Sequence, residues 1–258
     1  MRKVEVVKPD ENPWVSEYAA PRCRVTGTFQ CRRASPADAS IWMLTADLGS
    51  GASFDWEDHH GDEALFVQRG ELEVEGRRCP EGGAVVIEAD ARPIVRTTRS
   101  SRVVHMGPRD PAPPRDGLHG PASARSRDVH VVGPRGIFEA REKGRDTHFF
   151  ADSTCPGCRL WLLYTSRSFA WETSVHSHSQ DELVYLLEGE IRLGSFSLEP
   201  GSTVFIAADQ PYQLRSGEDG FAFINYRRDA SEMTTRATGE KILEAGEATG
   251  LTRVSDSL

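Results

Sequence analysis

The sequence has no unbroken apolar run long enough to cross a membrane as a helix, and its first ten residues lack the apolar core of a secretion signal. A soluble, cytoplasmic protein without a membrane partner is therefore expected. Basic clusters with interleaved aromatics are also missing, and the net charge is −8, from 31 Lys and Arg against 39 Asp and Glu. Phosphate recognition needs a basic face, so nucleic acid is not an expected partner. Cysteine is scarce and odd in number, at Cys23, Cys31, Cys79, Cys155 and Cys158. Without a secretion signal this reads as reduced thiols, not a disulfide framework. A second C-x2-C is absent, which leaves Cys155 and Cys158 short of zinc ligands. Pro and Gly between them suit a hairpin turn with two cross-strand cysteines, and any further role of the pair stays open. Helical signals are rare as well. Glu240–Ala245 is the best helix candidate, ahead of a Ser/Thr-rich tail.

What is present is punctuation. With 23 Gly, 15 Pro and 38% hydrophobic residues, the chain suits a globular protein with many tight turns. Its 258 residues allow one large all-β domain or two of about 110–130 residues. Residues 1–24 are polar, with three prolines, and read as an N-terminal arm anchored by Trp14 and Tyr18. Short strand-like runs separated by turn residues fill 25–106 and resume over 129–228, as in a sandwich or barrel. Between them, 107–128 carries five prolines and three glycines and reads as a linker. Residues 229–258 form the expected C-terminal helix and tail.

The two strand-rich stretches are copies. A shift of 119 residues lays Trp42 on Trp161, Leu44 on Leu163, His59 on His178, Asp62 on Asp181, Glu63 on Glu182 and Gly70 on Gly189. A shift of 118 then lays Gly76 on Gly194, Gly83 on Gly201, Val86 on Val204 and Pro93 on Pro211. Self-similarity over a whole domain length means two folded units of one type.

In the second copy, His176 and His178 lie two apart in an extended segment, so both imidazoles share a face. Glu182 opens the apolar run Leu183–Leu187. Two imidazoles and a carboxylate from adjacent strands can cap one side of a metal ion and leave other positions open. The spacing H-x-H-x3-E-x6-G, ending at Gly189, resembles the first motif of the cupin superfamily. Gly194 through Pro200 and Gly201, followed by Pro211 and Tyr212, resembles the second. Over about 25–228 the chain thus resembles a bicupin.

That resemblance implies an all-β fold of two tandem double-stranded β-helix (jelly-roll, cupin) domains. It implies one mononuclear divalent metal ion in the second, held by His176, His178 and Glu182. Fe(II) is the first expectation, with Mn, Ni or Zn as alternatives. The implied function is a small-molecule dioxygenase-like enzyme acting as a monomer or homodimer. A non-oxidative isomerase, decarboxylase or lyase, or a non-catalytic ligand-binding cupin, are the alternatives. Family members usually carry a fourth, histidine ligand where this sequence has Tyr212. The tyrosine can be a weak or absent ligand, a catalytic phenol beside the metal, or packing; Gln213 takes its place if the register slips by one.

In the first copy, Glu57, His59, Glu63 and Ile94 stand where His176, His178, Glu182 and Tyr212 stand in the second. A structural interior without a tightly held metal is expected there, with His60 facing away from His59. Strand parity puts Trp161 and Tyr164 on opposite faces. Arg192 and Arg215 could pair a substrate carboxylate bidentately but read first as solvated barrel surface, as the run Arg96–Arg102 reads as a solvated hairpin.

Overall fold

The computed structural model describes residues 3–110, 128–142, 144–152, 157–244 and 252–254. Every strand pairing among them is antiparallel, and no α-helix occurs. The N-terminal half folds into two facing sheets. Five strands run in the order Cys23–Thr26, Ser53–Trp56, Val95–Thr97, Glu71–Val74 and Arg77–Pro80. Opposite them, six run in the order Val129–Val132, Ala84–Ile87, Glu63–Arg69, Ser101–Pro108, Ile41–Leu48 and Phe29–Arg33. The C-terminal half repeats the plan. A nine-stranded sheet is centred on Glu182–Leu193 and Leu214–Arg227, and a three-stranded sheet joins His176–His178, Glu232–Thr235 and Lys241–Leu243.

The alternation of burial explains why these segments are strands. Cys23–Thr26 reads buried, exposed, buried, exposed, so one face packs inward. Ile41–Leu48, Glu63–Val67 and Glu182–Leu186 are buried almost throughout, because they are covered on both faces. On one side lies a core within each half; on the other lies a cluster common to both halves, where Met43, Phe66 and Met106 meet Phe150, Leu162, Tyr185 and Tyr226. The halves are therefore fused back to back through apolar sheet faces.

Two strands cross the expected boundaries. Val4–Val7, part of the expected arm, pairs with Thr203–Ile206 and extends the C-terminal sheet. Val129–Val132, expected to open the C-terminal unit, pairs with Ala84–Ile87 and extends the N-terminal one. Each half thus lends the other an edge strand, which covers backbone groups that an edge would expose. The remainder of the arm behaves as expected: Arg32 and Arg102 sit over Trp14, and Tyr18 packs edge-on against Phe29 and Phe54.

The shared Asp62 and Asp181 become a pair of clamps. Each accepts the backbone N–H of its own following loop, at Ala89 and Ala208, both at 2.7 Å. Each also reaches the other half: Asp62 Oδ2 accepts the N–H of Arg159 at 2.7 Å, and Asp181 Oδ2 accepts the hydroxyl of Ser40. In both copies the aspartate's contacts are architectural.

Two expectations need correction here. Glu240–Ala245 is not a helix, since Lys241–Leu243 is a strand paired with Glu232–Thr235. Ala245 itself, the linker core 111–127 and the tail lie outside the described residues. Cys158 is buried and disulfide-bonded, so the thiols are not all reduced; Cys23, Cys31 and Cys79 are free. Cys155 and its turn lie outside the described residues.

The motif glycine Gly189 has φ +74°, and a Cβ there would stand 2.2 Å from the carbonyl oxygen of Gly220. Both the backbone conformation and the close approach demand glycine. Gly189→Ala is expected to cost about 1–3 kcal/mol in urea unfolding. An unchanged midpoint would show that the bulge relaxes freely.

Candidate metal centre in the C-terminal barrel

His176 and His178 occupy one short strand and point to the same side, with ring centroids 5.0 Å apart. Tyr212 is fixed against them by a two-way backbone bridge: His176 N–H to Tyr212 O at 3.0 Å and Tyr212 N–H to His176 O at 2.9 Å. Its ring lies 4.5 Å from that of His176 and 5.9 Å from that of His178. Glu182 enters from the first position of its strand, directly opposite Arg227 on Leu214–Arg227. All five side chains are almost entirely buried. The structure therefore brings together His176, His178, Glu182 and Tyr212. Gln213 points elsewhere, donating to Glu172 and to the Thr173 carbonyl.

Hydrogen bonds assign the imidazole tautomers. His176 Nδ1 faces the Ser174 carbonyl at 2.7 Å, which can only accept, so Nδ1 carries the proton and Nε2 a lone pair. Arg227 Nη2 donates to His178 Nε2 at 3.2 Å, so that nitrogen is a lone pair as well. His178 Nδ1 lies 2.9 Å from Glu244 Oε2, a close contact that falls short of hydrogen-bond geometry. Glu182 Oε2 accepts from Asn225 at 2.7 Å and from Arg227 at 3.1 Å. Glu182 Oε1 is buried without a hydrogen bond of good geometry, although the neighbouring Tyr212 hydroxyl helps to hold the carboxyl's pKa down.

Arg227 is the hub. Besides Glu182 and His178 it meets Glu244 through Nη1, and its guanidinium lies 4.1 Å above the Trp161 ring. Burial works against its charge, but Glu244 and Glu182 outweigh that and raise its pKa. Burial likewise pushes the Glu182 carboxyl up, yet His178, Arg227 and Asn225 hold it below the usual range. Glu244 is brought down to about 2, mainly by Arg227 and His178 acting against burial. Burial depresses His176, which favours the neutral ring. Burial and then the Glu182 charge raise Tyr212, so it is a phenol and not a phenolate.

The donor chemistry fits a divalent cation. Two imidazoles present Nε2 lone pairs, and a buried carboxylate oxygen lacks a partner. The present arrangement is not a closed cage: His178 Nε2 and Glu182 Oε1 are 4.0 Å apart, and among the described residues no three His, Cys, Asp or Glu side chains converge on an ion. Binding would draw these donors together and release Arg227 from His178.

The N-terminal half shows what the same frame becomes without an arginine. Arg227 lies opposite Trp161; at the matching position Gly107 lies opposite Trp42. A Cβ on Gly107 would come within 2.9 Å of both Glu63 and Trp42, so no side chain fits. Glu63 Oε2 instead meets Trp56 Nε1 at 2.8 Å and His105 Nε2 at 2.9 Å, while the Tyr18 hydroxyl meets His105 Nδ1 at 3.0 Å. The copies differ from the sequence alignment in detail. His59 is exposed in a left-handed turn, Glu57 pairs with Arg24 at the surface, and Ile94 is 66% exposed. His60 is the buried histidine.

A cavity of about 980 Å³ reaches Tyr212 and is lined by Trp171, Glu172, Arg192, Phe196 and Arg215. Both arginines have surface partners, Glu190 and Glu172. As parity required, Trp161 faces the site, whereas Tyr164 stacks on His148 and Phe66 near the other half.

Two facing-sheet sandwiches with this strand order define an all-β protein of the jelly-roll, cupin type. Among solved structures, the chain is similar to a putative glyoxylate-induced protein from Pseudomonas aeruginosa, with TM-score 0.64 at 17% identity over 88% of this chain and 89% of that one. It is likewise similar to protein Ylba from E. coli, with TM-score 0.63 at 14% identity over 87% and 90%. Lactobacillus farciminis oxalate decarboxylase gives TM-score 0.63 at 12% identity over 87% and 86%. At these identities the likeness is one of fold. No family model and no curated protein matches the sequence.

Proposed function

We propose that the C-terminal half is a small-molecule metalloenzyme, with one divalent ion held by His176, His178 and Glu182. The observation that carries this is the pair of Nε2 lone pairs beside the orphaned Glu182 Oε1 beneath Tyr212. Such an ion, Fe(II) first and Mn, Ni or Zn otherwise, supplies Lewis acidity and, if iron, oxygen chemistry. The chain's own groups do the rest. Asn225 and Arg227 fix the carboxylate rotamer, the Ser174 carbonyl fixes the His176 tautomer, and burial excludes water. Tyr212 holds a proton on its phenol between the cavity and the donors, placed to hydrogen-bond a substrate oxygen.

Three protein donors leave positions for a chelating substrate and O2, which favours a dioxygenase-like reaction. The neutral phenol favours a second reading, non-oxidative decarboxylase or lyase chemistry, in which Tyr212 is the acid; oxalate decarboxylases are among the similar structures. Elemental analysis tests the shared premise. Protein purified without added metal is expected to hold one equivalent of iron or manganese, and a His176→Ala/His178→Ala variant none. A wild type that stays metal-free after reconstitution with either ion overturns the proposal. Tyr212→Phe is expected to keep the metal and lower kcat by about 100-fold. Turnover under argon then separates the two reactions.

A further inference from the structure

The donors and Arg227 are sealed from solvent, and the outer cavity stops at Tyr212. What closes the other side is the hairpin of Glu232–Thr235 and Lys241–Leu243, which adds to His176–His178 through three residue pairs. The hairpin contributes little burial of its own: its residues are exposed or half-buried throughout. Beyond the strand pairing it is tied down at its end. The Glu244 carboxylate contacts Arg227 Nη1 and His178 Nδ1, and the Glu244 carbonyl accepts Trp161 Nε1–H at 3.0 Å. A flap with little burial of its own, held by three strand pairs, the part-buried Glu244 carboxylate and one hydrogen bond from Trp161, has the sparse packing of an opening element.

The occupant of Arg227 also indicates what opens it. Nε and Nη2 are committed to Glu182, whereas Nη1 is met by a single oxygen of Glu244 that arrives on the flap. Nη2 also donates to His178, so the exchangeable position is Nη1, whose two N–H groups can donate to a small carboxylate in the place of Glu244. We propose that Arg227 is the carboxylate-recognition residue of the barrel, and that Glu244 is an internal stand-in displaced when a small carboxylate anion binds and the hairpin opens. This deepens the enzymatic proposal by naming its substrate class. Its test is run on metal-free protein, so either can fail without the other.

The experiment is hydrogen exchange and calorimetry with sodium acetate, against sodium chloride at equal ionic strength. The reporters are the amides of Ser179 and Arg236, which bond to Glu232 O and Val175 O across the flap. In wild type, acetate is expected to speed their exchange at least 5-fold over chloride. Glu244→Gln is expected to exchange fast in chloride already and to bind acetate at least 10-fold more tightly. Glu232→Gln, which removes only the exposed pair with Lys241, is expected to behave as wild type. Equal exchange in acetate and chloride overturns the proposal, as does acetate affinity unchanged by Glu244→Gln. Should Glu244→Gln not fold, the wild-type acetate comparison decides alone.

Discussion

Arg227→Met is expected to destabilise the metal-free protein by about 3–5 kcal/mol, a fall of about 10 °C in Tm for a chain of this size. Methionine fills much of the same volume and can still pack on Trp161, so a cavity is not the main cause. Charge is. Glu182 is buried and Glu244 part-buried where they face Arg227, and removing it takes from both carboxylates the cation they share. Neutralising one of them relieves the conflict, so Arg227→Met/Glu244→Gln is expected to regain part of the loss. A divalent ion at His176, His178 and Glu182 would supply positive charge at the same donors. Added Mn(II) is therefore expected to narrow the gap between Arg227→Met and wild type. Thermal unfolding with and without the ion checks both statements; a Tm within 2–3 °C of wild type in the metal-free variant would mean that water already compensates the carboxylates.

Why the sequence exposed half of this network and hid the other half is a matter of periodicity. His176, His178 and Glu182 stand close together in the chain, and two-residue alternation fixes their common face. Tyr212 was reachable through the resemblance to the second cupin motif, in which it follows Pro211. Arg227 comes from the far end of a fourteen-residue strand, where the pattern gives no sign that a charged residue faces inward. The repeat held a trace of it, since Gly107 stands opposite Trp42 where Arg227 stands opposite Trp161. His105 was hidden in the same way, at the place of Asn225. Glu244 had no local signal at all. The residues around it favour a helix on their own, and the exposed edge of Glu232–Thr235 turns them into a strand.

The exchanged edges and His59 failed for a related reason. Val4–Val7 and Val129–Val132 were recognisable as apolar runs, but alternation within a strand does not name its partner. The gapless alignment of His59 with His178 assumed that equal spacing means equal backbone. In the N-terminal half that stretch is a turn, with His59 at φ +66°, and so its side chain leaves the barrel. The fold type survives such local changes because the two-sheet core depends on the apolar pattern, which both copies keep.

The same buried charges make the metal-free protein acid-labile in two stages. His176 is depressed below its ordinary 6.5 by burial, so it contributes stability above about pH 6.5 that fades as pH falls through its lower folded value. Glu244 is held at about 2 against an ordinary 4.5, chiefly by Arg227 and His178 working against burial. Its contribution is complete above pH 4.5 and is lost between there and about pH 2; a shift of that size corresponds to about 3 kcal/mol. Glu182, also depressed, adds to the second stage with the same sign. Urea midpoints are therefore expected to fall gently from pH 7.5 to 5 and steeply below 4.5. In Glu244→Gln the steep stage should shrink, because the amide has no proton to gain, while the start at neutral pH is already lower. A variant whose midpoint falls with wild-type slope below pH 4.5 would place the acid-sensitive charges elsewhere in the protein.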